Sequence, residues 1–348
     1  QVMENVPVYV GLDYHQQSIQ VCVVNSAGRV LRNRSVGNSL ADVTGIAAEC
    51  GTVAGATVEA CCGSADLAER LQNEAGWPIV LAHPGYASRM KHNPDKTDLT
   101  DARVLAELCR TGFVPRVWLA PRPLRELRSL VRYRQQMVQM RRAAKVRMLA
   151  VLREHRVALP KELPRWGKGF MAWLSELGAP EIGAEPRWIL DRHLRWMHAA
   201  IAEVARVDER LEQLTAADPV VLKLLTMKGI GPVTAWTMRA EIGWFDRFRN
   251  GKQLARYCGL SPCNASSGAR VADAGMTRAG NGSLKAVLVE AAHRLIRYVP
   301  RWRDLAAKLR RAGKPGSVIA AAVANRFVRG LHHEMKTLTM KETTAAAA

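Results

Sequence analysis

The stretch VYVGLDYHQQSIQVCVVNSAGRVLRNRSV at residues 8–36 decides the fold of the first part of the chain. It holds an apolar run at Val8–Leu12, a second at Ser18–Asn25, a turn at Ser26–Gly28 and a weakly alternating segment at Arg29–Val36. Three consecutive strand patterns at this spacing predict an antiparallel meander.

The residues that follow alternate between helical and strand patterns. The predicted elements are a helix at Leu40–Cys50, a strand at Thr57–Ala60, a helix at Ser64–Ala75, a strand at Pro78–Ala82 and a helix at Asp98–Thr111. Three strands followed by this alternation are the element order of a ribonuclease-H-like fold. We therefore expect an α/β domain of that type over residues 8–118, on analogy of element order alone.

Residues 119–160 predict one long basic helix. The stretch from Arg116 to Arg156 carries twelve Lys and Arg residues. Its only acidic residues are Glu126 and Glu154. A solvated helix face normally mixes both signs of charge, so this face needs a neutralising partner, and phosphate is the obvious one. The arginines expected to bind nucleic acid are Arg128, Arg132, Arg134, Arg141 and Arg142.

The remaining chain is predicted to be helical, in a middle region at 119–218 and a last domain at 219–340. Helices at 122–158 and 186–215 are expected to form an antiparallel hairpin. Four tryptophans of the middle region are expected to serve packing rather than base stacking. They are Trp166, Trp173, Trp188 and Trp196.

The last domain opens with a glycine-rich turn, Lys228-Gly229-Ile230-Gly231-Pro232, between two apolar helices. Such a turn is typical of a helix–hairpin–helix, whose backbone N–H groups bind phosphate at a helix N-terminus. Lys228, Gly229 and Gly231 are therefore candidate nucleic-acid contacts. A plain connector between two helices is the alternative.

Charge and cysteine content narrow the class of protein. Lys and Arg number 51 against 31 acidic residues, which gives a net charge of +20. This surplus favours a protein that binds nucleic acid over one that is merely basic. No run of 18 apolar residues occurs, and Gln1–Pro7 lacks the pattern of a secretory signal, so we expect a cytoplasmic, nucleoid-associated protein without a membrane partner. Seven cysteines without metal-site spacing predict reduced, buried thiols.

Four carboxylates are candidates for chemistry. Asp13 ends the first strand pattern and Glu59 ends the fourth, while Asp98 and Asp101 open a helix three residues apart and so share one face. The plain interpretation of the last pair is that acids favour a helix N-terminus. If all four converge, cations must neutralise them, and oxygen ligands suit Mg²⁺. Two such ions about 4 Å apart organise a phosphodiester displacement.

A polar loop follows an apolar helix at Gly259–Gly268, with the sequence GLSPCNASSG. A serine in it is a candidate nucleophile, although no neighbouring histidine supplies a general base.

Taken together, these segments resemble the DEDD-type insertion-sequence transposases, the bridge-RNA-guided recombinases. The matching segments occur in the family's order and span roughly residues 8–330. They are GLDYH (11–15), VEA (58–60), KTDLTDA (96–102), GIGPVTA (229–235), GLSPCNASSG (259–268), TRAGNGSLKAVLVEAA (277–292) and GKPGSVIAAAVANRF (313–327). The combination of KTDxxDA with the late SSG and AGN segments is highly specific.

The resemblance implies a fold and an activity beyond what the residues establish. The first domain would be RuvC-like, with Asp13, Glu59, Asp98 and Asp101 as the catalytic tetrad that binds Mg²⁺, or Mn²⁺ as an alternative. Ser267 would be the nucleophile that becomes covalently attached to DNA, and the adjacent Ser266 is the other candidate. A coiled coil between the domains would mediate a homodimer or homotetramer. The partners would be donor DNA, target DNA and a noncoding bridge RNA.

Two other functions remain open on the sequence. One is a junction-cleaving nuclease that uses the same tetrad with water and leaves Ser267 idle. The other is a non-catalytic scaffold that binds RNA or DNA through an inactive nuclease fold.

Overall fold

A computed structural model of the chain describes residues 6–90, 97–264, 273–277 and 280–347. The chain divides into two units, Gln1–Ala120 and Pro121–Ala348. The first unit ends close to the domain boundary expected at residue 118, and the further boundary expected at residue 218 stays a prediction. Among the helices described, none combines the length and the apolarity needed to cross a lipid bilayer.

The first unit is a six-stranded sheet with helices on both faces. Its elements are β1 (Pro7–Tyr14), β2 (Ser18–Asn25), β3 (Val30–Gly37), α1 (Leu40–Ala48), β4 (Thr52–Glu59), α2 (Ser64–Ala75), β5 (Ile79–Ala82), α3 (Pro84–Met90), α4 (Asp98–Thr111) and β6 (Arg116–Val117). The strand order is β3-β2-β1-β4-β5-β6. The first three strands pair antiparallel, whereas β1–β4 and β4–β5 are parallel. This mixed sheet fits the expected ribonuclease-H-like class.

Alternation along β1 sends its side chains to two different cores. Val8, Val10 and Leu12 are fully buried in a cluster with residues of α1 and α2. Tyr9 packs on the opposite face, against a small cluster that includes Ala102 and Ala106 of α4. Because both faces are covered, the useful chemistry of this sheet is confined to the edge at which the strands end.

The fourth strand is longer than predicted. It begins at Thr52 rather than Thr57, because Gly55 interrupts the apolar pattern that would reveal it. A methyl group on Gly55 would come within 2.8 Å of the Cys109 sulfur of α4. The glycine that hides the strand in the sequence is thus the residue that lets α4 pack closely on it.

The expectation of buried cysteines is wrong for part of the set. Cys22 and Cys258 are buried, and burial raises the pKa of the Cys258 thiol to about 12. Cys61 and Cys62, however, are exposed. They lie in the turn between β4 and α2, at the end of a strand, where no core covers them.

The second unit is almost entirely helical. Its elements are α5 (Arg122–Glu154), α6 (Lys168–Glu176), α7 (Ala179–Ile182), α8 (Ala184–Thr215), α9 (Pro219–Leu225), α10 (Pro232–Ile242), α11 (Gly251–Tyr257), β7 (Pro262–Asn264), β8 (Asp273–Met276), α12 (Gly282–Tyr298), α13 (Pro300–Arg311) and α14 (Gly316–Ala347). The long helices α5 and α8 pack antiparallel, with Met148 and Leu152 of α5 against Leu190 and Leu194 of α8 in one buried cluster.

The four tryptophans predicted to serve packing divide into two pairs. Trp166 and Trp173 contact Phe170 with ring centroids 5.3 and 5.2 Å apart, as expected of packing residues. The packing expectation is wrong for Trp188 and Trp196, which are 56% and 60% exposed on α8. The helical spacing of apolar residues hid this difference, because these two rings lie away from the buried face.

A short hairpin replaces part of the polar loop predicted at 259–268. Strand β7 pairs antiparallel with β8, which begins nine residues after β7 ends. Ser266 and Ser267 belong to the connecting segment and lie outside the described residues.

Candidate active site

Asp13 and Glu59 come to the same edge of the sheet. In the parallel pairing of β1 with β4 the last matched residues are Leu12 and Val58, so each carboxylate follows its strand's final pair by one residue. The nearby Cys61 thiol has a raised pKa. Partial burial of the sulfur is the main cause, and the charges of Glu59 and Asp13 add to it, whereas hydrogen bonds with Ser64 lower the pKa. The register of β1 and β4 therefore places the two carboxylates at the same end of adjacent strands.

The first turn of α4 supplies the other two acids of the predicted tetrad. Thr97 caps this helix through a reciprocal capping box with Thr100, which fixes where the first turn starts. The side chain of Asp98 is 64% exposed, whereas Asp101 is buried at 6% exposure. The two acids therefore differ in environment, although their spacing puts them on adjacent positions of one face.

Glycine 11 brings α4 against the first strand. A methyl group at this position would lie 2.0 Å from the Ala102 carbonyl oxygen and 2.3 Å from the Ala106 nitrogen, both in α4. No side chain fits there, so the helix backbone rests directly on β1. The GLD segment therefore has two functions. Gly11 allows α4 to pack closely, and Asp13, two residues later, supplies a carboxylate.

A chain of amide hydrogen bonds also holds the start of α4 to the sheet. Gln20, the cross-strand partner of Asp13, donates from Nε2 to Oδ1 of Asn33 over 2.8 Å. Asn33 in turn donates from Nδ2 to the backbone oxygen of Leu99 over 2.9 Å. These contacts fix the segment between Asp98 and Asp101 relative to the strand that carries Asp13.

His15 joins the site, although the sequence pattern did not single it out. Its Nε2 lies 3.5 Å from Oδ2 of Asp13 and 3.4 Å from Oδ2 of Asp98. One ligand atom from each of these three residues falls within 4.8 Å of the others. His15 directly follows the last residue of β1, and the sequence carries no signal for its approach to Asp98.

The donor set fits a divalent cation. Carboxylate oxygens are the ligands that Mg²⁺ and Mn²⁺ prefer, and imidazole is a common additional ligand for transition metals. The structure brings together Asp13, His15 and Asp98 as such a group, with Glu59 at the same sheet edge and Asp101 one turn further along α4. The nucleophile candidates Ser266 and Ser267 lie outside the described residues.

The arginines predicted to bind nucleic acid fall into two groups. Arg132 donates twice to the Glu241 carboxylate, at 2.8 and 3.0 Å, and Arg128 lies 3.6 Å from the same group. Arg134 is paired with Asp208. Arg141 and Arg142 form no ion pair with a described residue, so the uncompensated charge of α5 lies in its second half.

The predicted glycine-rich turn connects α9 to α10. Gly229 has a φ of +87°, which only glycine adopts easily, and Gly231 caps α10 ahead of Pro232. Lys228 is exposed beside them. Their contact with nucleic acid stays a prediction.

Two protein-family models match the chain. A DEDD-type transposase family model of the IS110 group matches residues 10–157, and the model described as "Transposase IS116/IS110/IS902 family" matches residues 222–307. These matches together cover well over half of the chain, and the first includes all four predicted tetrad residues.

Two relatives match nearly the whole chain. The transposase for insertion sequence element IS1111A of Coxiella burnetii is 25% identical over 326 residues, which are 90% of this chain and 86% of that protein. The transposase for insertion sequence element IS1328 of Yersinia enterocolitica is 24% identical over 341 residues, 94% of this chain and 96% of that protein.

Proposed function

Because the chain belongs to the DEDD-type insertion-sequence transposases, which act as enzymes on DNA, we propose that the cluster around Asp13 and Asp98 is the centre that cleaves and rejoins DNA strands during transposition. The observation that carries the proposal is the convergence of Asp13, His15 and Asp98, residues from a strand end, a turn and a helix N-terminus, within 4.8 Å. A scaffold with an inactive nuclease fold has no need of such a group.

The metal ligands we propose are the tetrad Asp13, Glu59, Asp98 and Asp101, with Mg²⁺ as the expected ion and Mn²⁺ as the alternative. His15 adds a nitrogen donor beside two of these carboxylates. A divalent ion bound there supplies charge stabilisation to a phosphate oxygen.

The residues around the carboxylates differ in their exposure and in how they position the site. Asp98 is mostly exposed, where a substrate phosphate can reach it, whereas Asp101 is buried within the fold. Gln20 and Asn33 keep the first turn of α4 against the sheet, so the carboxylates are in position before DNA arrives. Such preorganisation avoids reorganisation at the moment of reaction.

The nucleophile we propose is Ser267, with Ser266 as the adjacent candidate. Its Oγ attacks the scissile phosphorus, a serine–phosphate ester bond forms and the phosphorus–oxygen bond to one sugar breaks. The serine proton is transferred to the departing sugar oxygen. The number of phosphoester bonds is unchanged, so the reverse attack by a sugar hydroxyl rejoins strands without ATP.

The partners we propose are donor DNA, target DNA and a noncoding bridge RNA, bound by a homodimer or homotetramer. The net charge of +20 and the unpaired arginines in the second half of α5 support a polyanionic partner. Base pairing with the RNA would supply the sequence specificity, so the protein needs only to recognise the nucleic-acid backbone.

Strand cleavage and rejoining by two variants tests the proposal. Asp98→Asn is expected to lower the rate by about 10²–10³-fold, as expected for loss of one electrostatic stabiliser. The matched control is Asp42→Asn, since Asp42 occupies the first turn of α1 in the same unit but outside the cluster. Equal rates for the two variants would refute a role of the cluster in the reaction.

Ser267→Ala tests the covalent step separately. It is expected to abolish both the protein–DNA adduct on denaturing gels and the rejoining of strands, with Ser266→Ala as the neighbouring control. If cleavage without rejoining survives in both serine variants, the enzyme is a nuclease that uses water. If rejoining also survives in both, neither serine is the nucleophile.

A further inference from the structure

A cavity of the described residues lies within the second unit, outside the proposed carboxylate centre. It has a volume of about 1260 Å³ and runs between one face of α5 and the α8, α10 and α12 helices. Small-molecule pockets measure about 300–1,000 Å³, so this cavity is of a size to take a segment of a polymer. We call it the α5 groove.

One face of α5 lines the groove over a length that suits a short strand. The lining residues run from Arg132 to Arg147 at helical spacing and include Gln135, Gln136 and Gln139. Fifteen residues of helix span ~22 Å, which is about six nucleotides at the 3.4 Å spacing of one strand.

The charges of the groove favour an anionic occupant. Glu241 is the one acid among the described lining residues, and it is only 2% exposed and already bound by Arg132. Arg147 makes no ion pair with a described residue, and its charge adds to burial in lowering the pKa of His193 below the ordinary value. The imidazole is therefore neutral at pH 7 and can both donate and accept hydrogen bonds.

The uncharged side chains of the groove suit bases rather than peptide groups. Trp196 lines the groove and leaves 60% of its surface exposed, as a stacking platform for a base requires. Gln136 and Gln139 are exposed on the opposite wall, and glutamine amides pair with the donor and acceptor edges of bases. Bases inside a duplex do not offer their faces to a ring, so the occupant must be unpaired.

We propose that the α5 groove binds a single-stranded segment of nucleic acid, with bases stacked on Trp196, base edges read by Gln136 and Gln139, and the backbone neutralised by Arg147. The inference rests on the proposed function in that the protein handles strands opened from duplexes. DNA and RNA share the chemistry, and separate probes distinguish them.

The same helix provides a matched control. Trp188 lies two helical turns from Trp196 and is 56% exposed, but it does not line the groove, and Arg192 covers its ring at 4.7 Å. Trp196→Ala therefore removes an exposed indole inside the groove, and Trp188→Ala removes one from the same helix outside the groove.

Fluorescence anisotropy of the full-length protein in EDTA, with labelled single-stranded DNA and RNA 12-mers and a matched duplex, tests the proposal. Trp196→Ala is expected to weaken single-strand binding roughly tenfold or more, and Trp196→Tyr to restore most of it, whereas Trp188→Ala stays near wild type. Arg147→Gln is expected to flatten the slope of log affinity against log salt for single strands by about 0.7. If Trp196→Ala weakens binding of one 12-mer, DNA or RNA, more than the other, that 12-mer identifies the kind of strand that the groove binds.

Three results would overturn the inference. One is equal affinity of the Trp188 and Trp196 variants, the second is an equal loss of duplex binding in Trp196→Ala, and the third is competition by poly-glutamate as strong as that by the oligonucleotides. Because EDTA removes divalent ions, single-strand binding is measured without the metal chemistry of the carboxylate cluster. A negative result in this binding experiment would therefore not refute the proposed strand cleavage. A negative result in the cleavage experiment would likewise not refute single-strand binding by the groove.

Discussion

At position 11 the absence of a side chain decides how close α4 lies to the first strand. The Ala102 oxygen and the Ala106 nitrogen occupy the space that a Cβ atom would fill. Because Asp98 sits at the start of that helix and Asp13 at the end of that strand, the distance between the two carboxylates depends on this contact as well as on the hydrogen bonds of Asn33.

Gly11→Ala is expected to push α4 away from β1 and to lower the free energy of unfolding by about 1–3 kcal/mol, the usual cost of overpacking. Urea denaturation measures it. Gly45→Ala is the control, because Gly45 lies in α1 with nothing within 4 Å of its added methyl group, and alanine there favours the helix. Equal stability of the two variants would contradict the packing argument.

The acids of the candidate site were predictable one residue at a time, and its histidine was not. Asp13 and Glu59 each end an apolar strand pattern, and Asp98 and Asp101 share a helical spacing, so each has a local signal. His15 follows the strand as an exposed residue, and only the approach of Asp98, more than eighty residues later, gives it a second neighbour. Spacing along one segment cannot reveal a contact made by another segment.

Among the elements, α5 shows how one sequence pattern conceals two roles. Its arginines form one continuous basic run in the sequence, yet Arg128, Arg132 and Arg134 bind carboxylates of α10 and α8. The partner of Arg132 is 109 residues away, which no helical periodicity can indicate. Arg141 and Arg142, in the second half of the helix, form no ion pair with a described residue and keep their charge for a polyanion.

Substitution in the two halves should therefore change different properties. Arg132→Gln leaves the buried Glu241 short of its main partner and is expected to lower the free energy of unfolding by about 3 kcal/mol. Arg141→Gln with Arg142→Gln is expected to leave stability unchanged and to reduce the salt-dependence slope of duplex DNA binding by about 2.

Thermal unfolding and binding titrations at several salt concentrations separate these effects. If the double variant has an unchanged slope, the DNA contact does not involve Arg141 and Arg142. If Arg132→Gln unfolds as wild type does, the pairing with Glu241 is not a stabilising contact.

The strands and helices were predictable to differing degrees for physical reasons. The meander of the first three strands follows from two apolar runs and a weakly alternating third segment. The predicted span of α4, Asp98–Thr111, is confirmed. Strand β6, with two residues, is too short to carry a pattern, and β7 and β8 are recognisable only through their pairing. Short strands are defined by a partner rather than by their own sequence.

For the whole molecule, the proposed chemistry draws on both units of the chain. The carboxylates belong to Gln1–Ala120, whereas Ser267 belongs by sequence to Pro121–Ala348. We propose, as the family resemblance implies, that in the oligomer the serine of one subunit meets the tetrad of another, so a mixed oligomer can assemble one complete site from two defective chains.

Mixing Asp98→Asn protein with Ser267→Ala protein is therefore expected to restore a measurable fraction of strand rejoining, although each variant alone is inactive. The variants are unfolded and refolded together to exchange subunits, and the control is the same treatment of each alone. A mixture as inactive as its components would contradict a site shared between subunits.

The measurement that tests the central claim most directly is a calorimetric titration of Mg²⁺ into the full-length protein without nucleic acid. The wild type and Asp42→Asn are expected to bind the ion alike, while Asp98→Asn and His15→Asn lose at least tenfold in affinity. Identical isotherms for all four proteins would show that Asp13, His15 and Asp98 do not form a metal centre, and the proposed strand chemistry would lose its foundation.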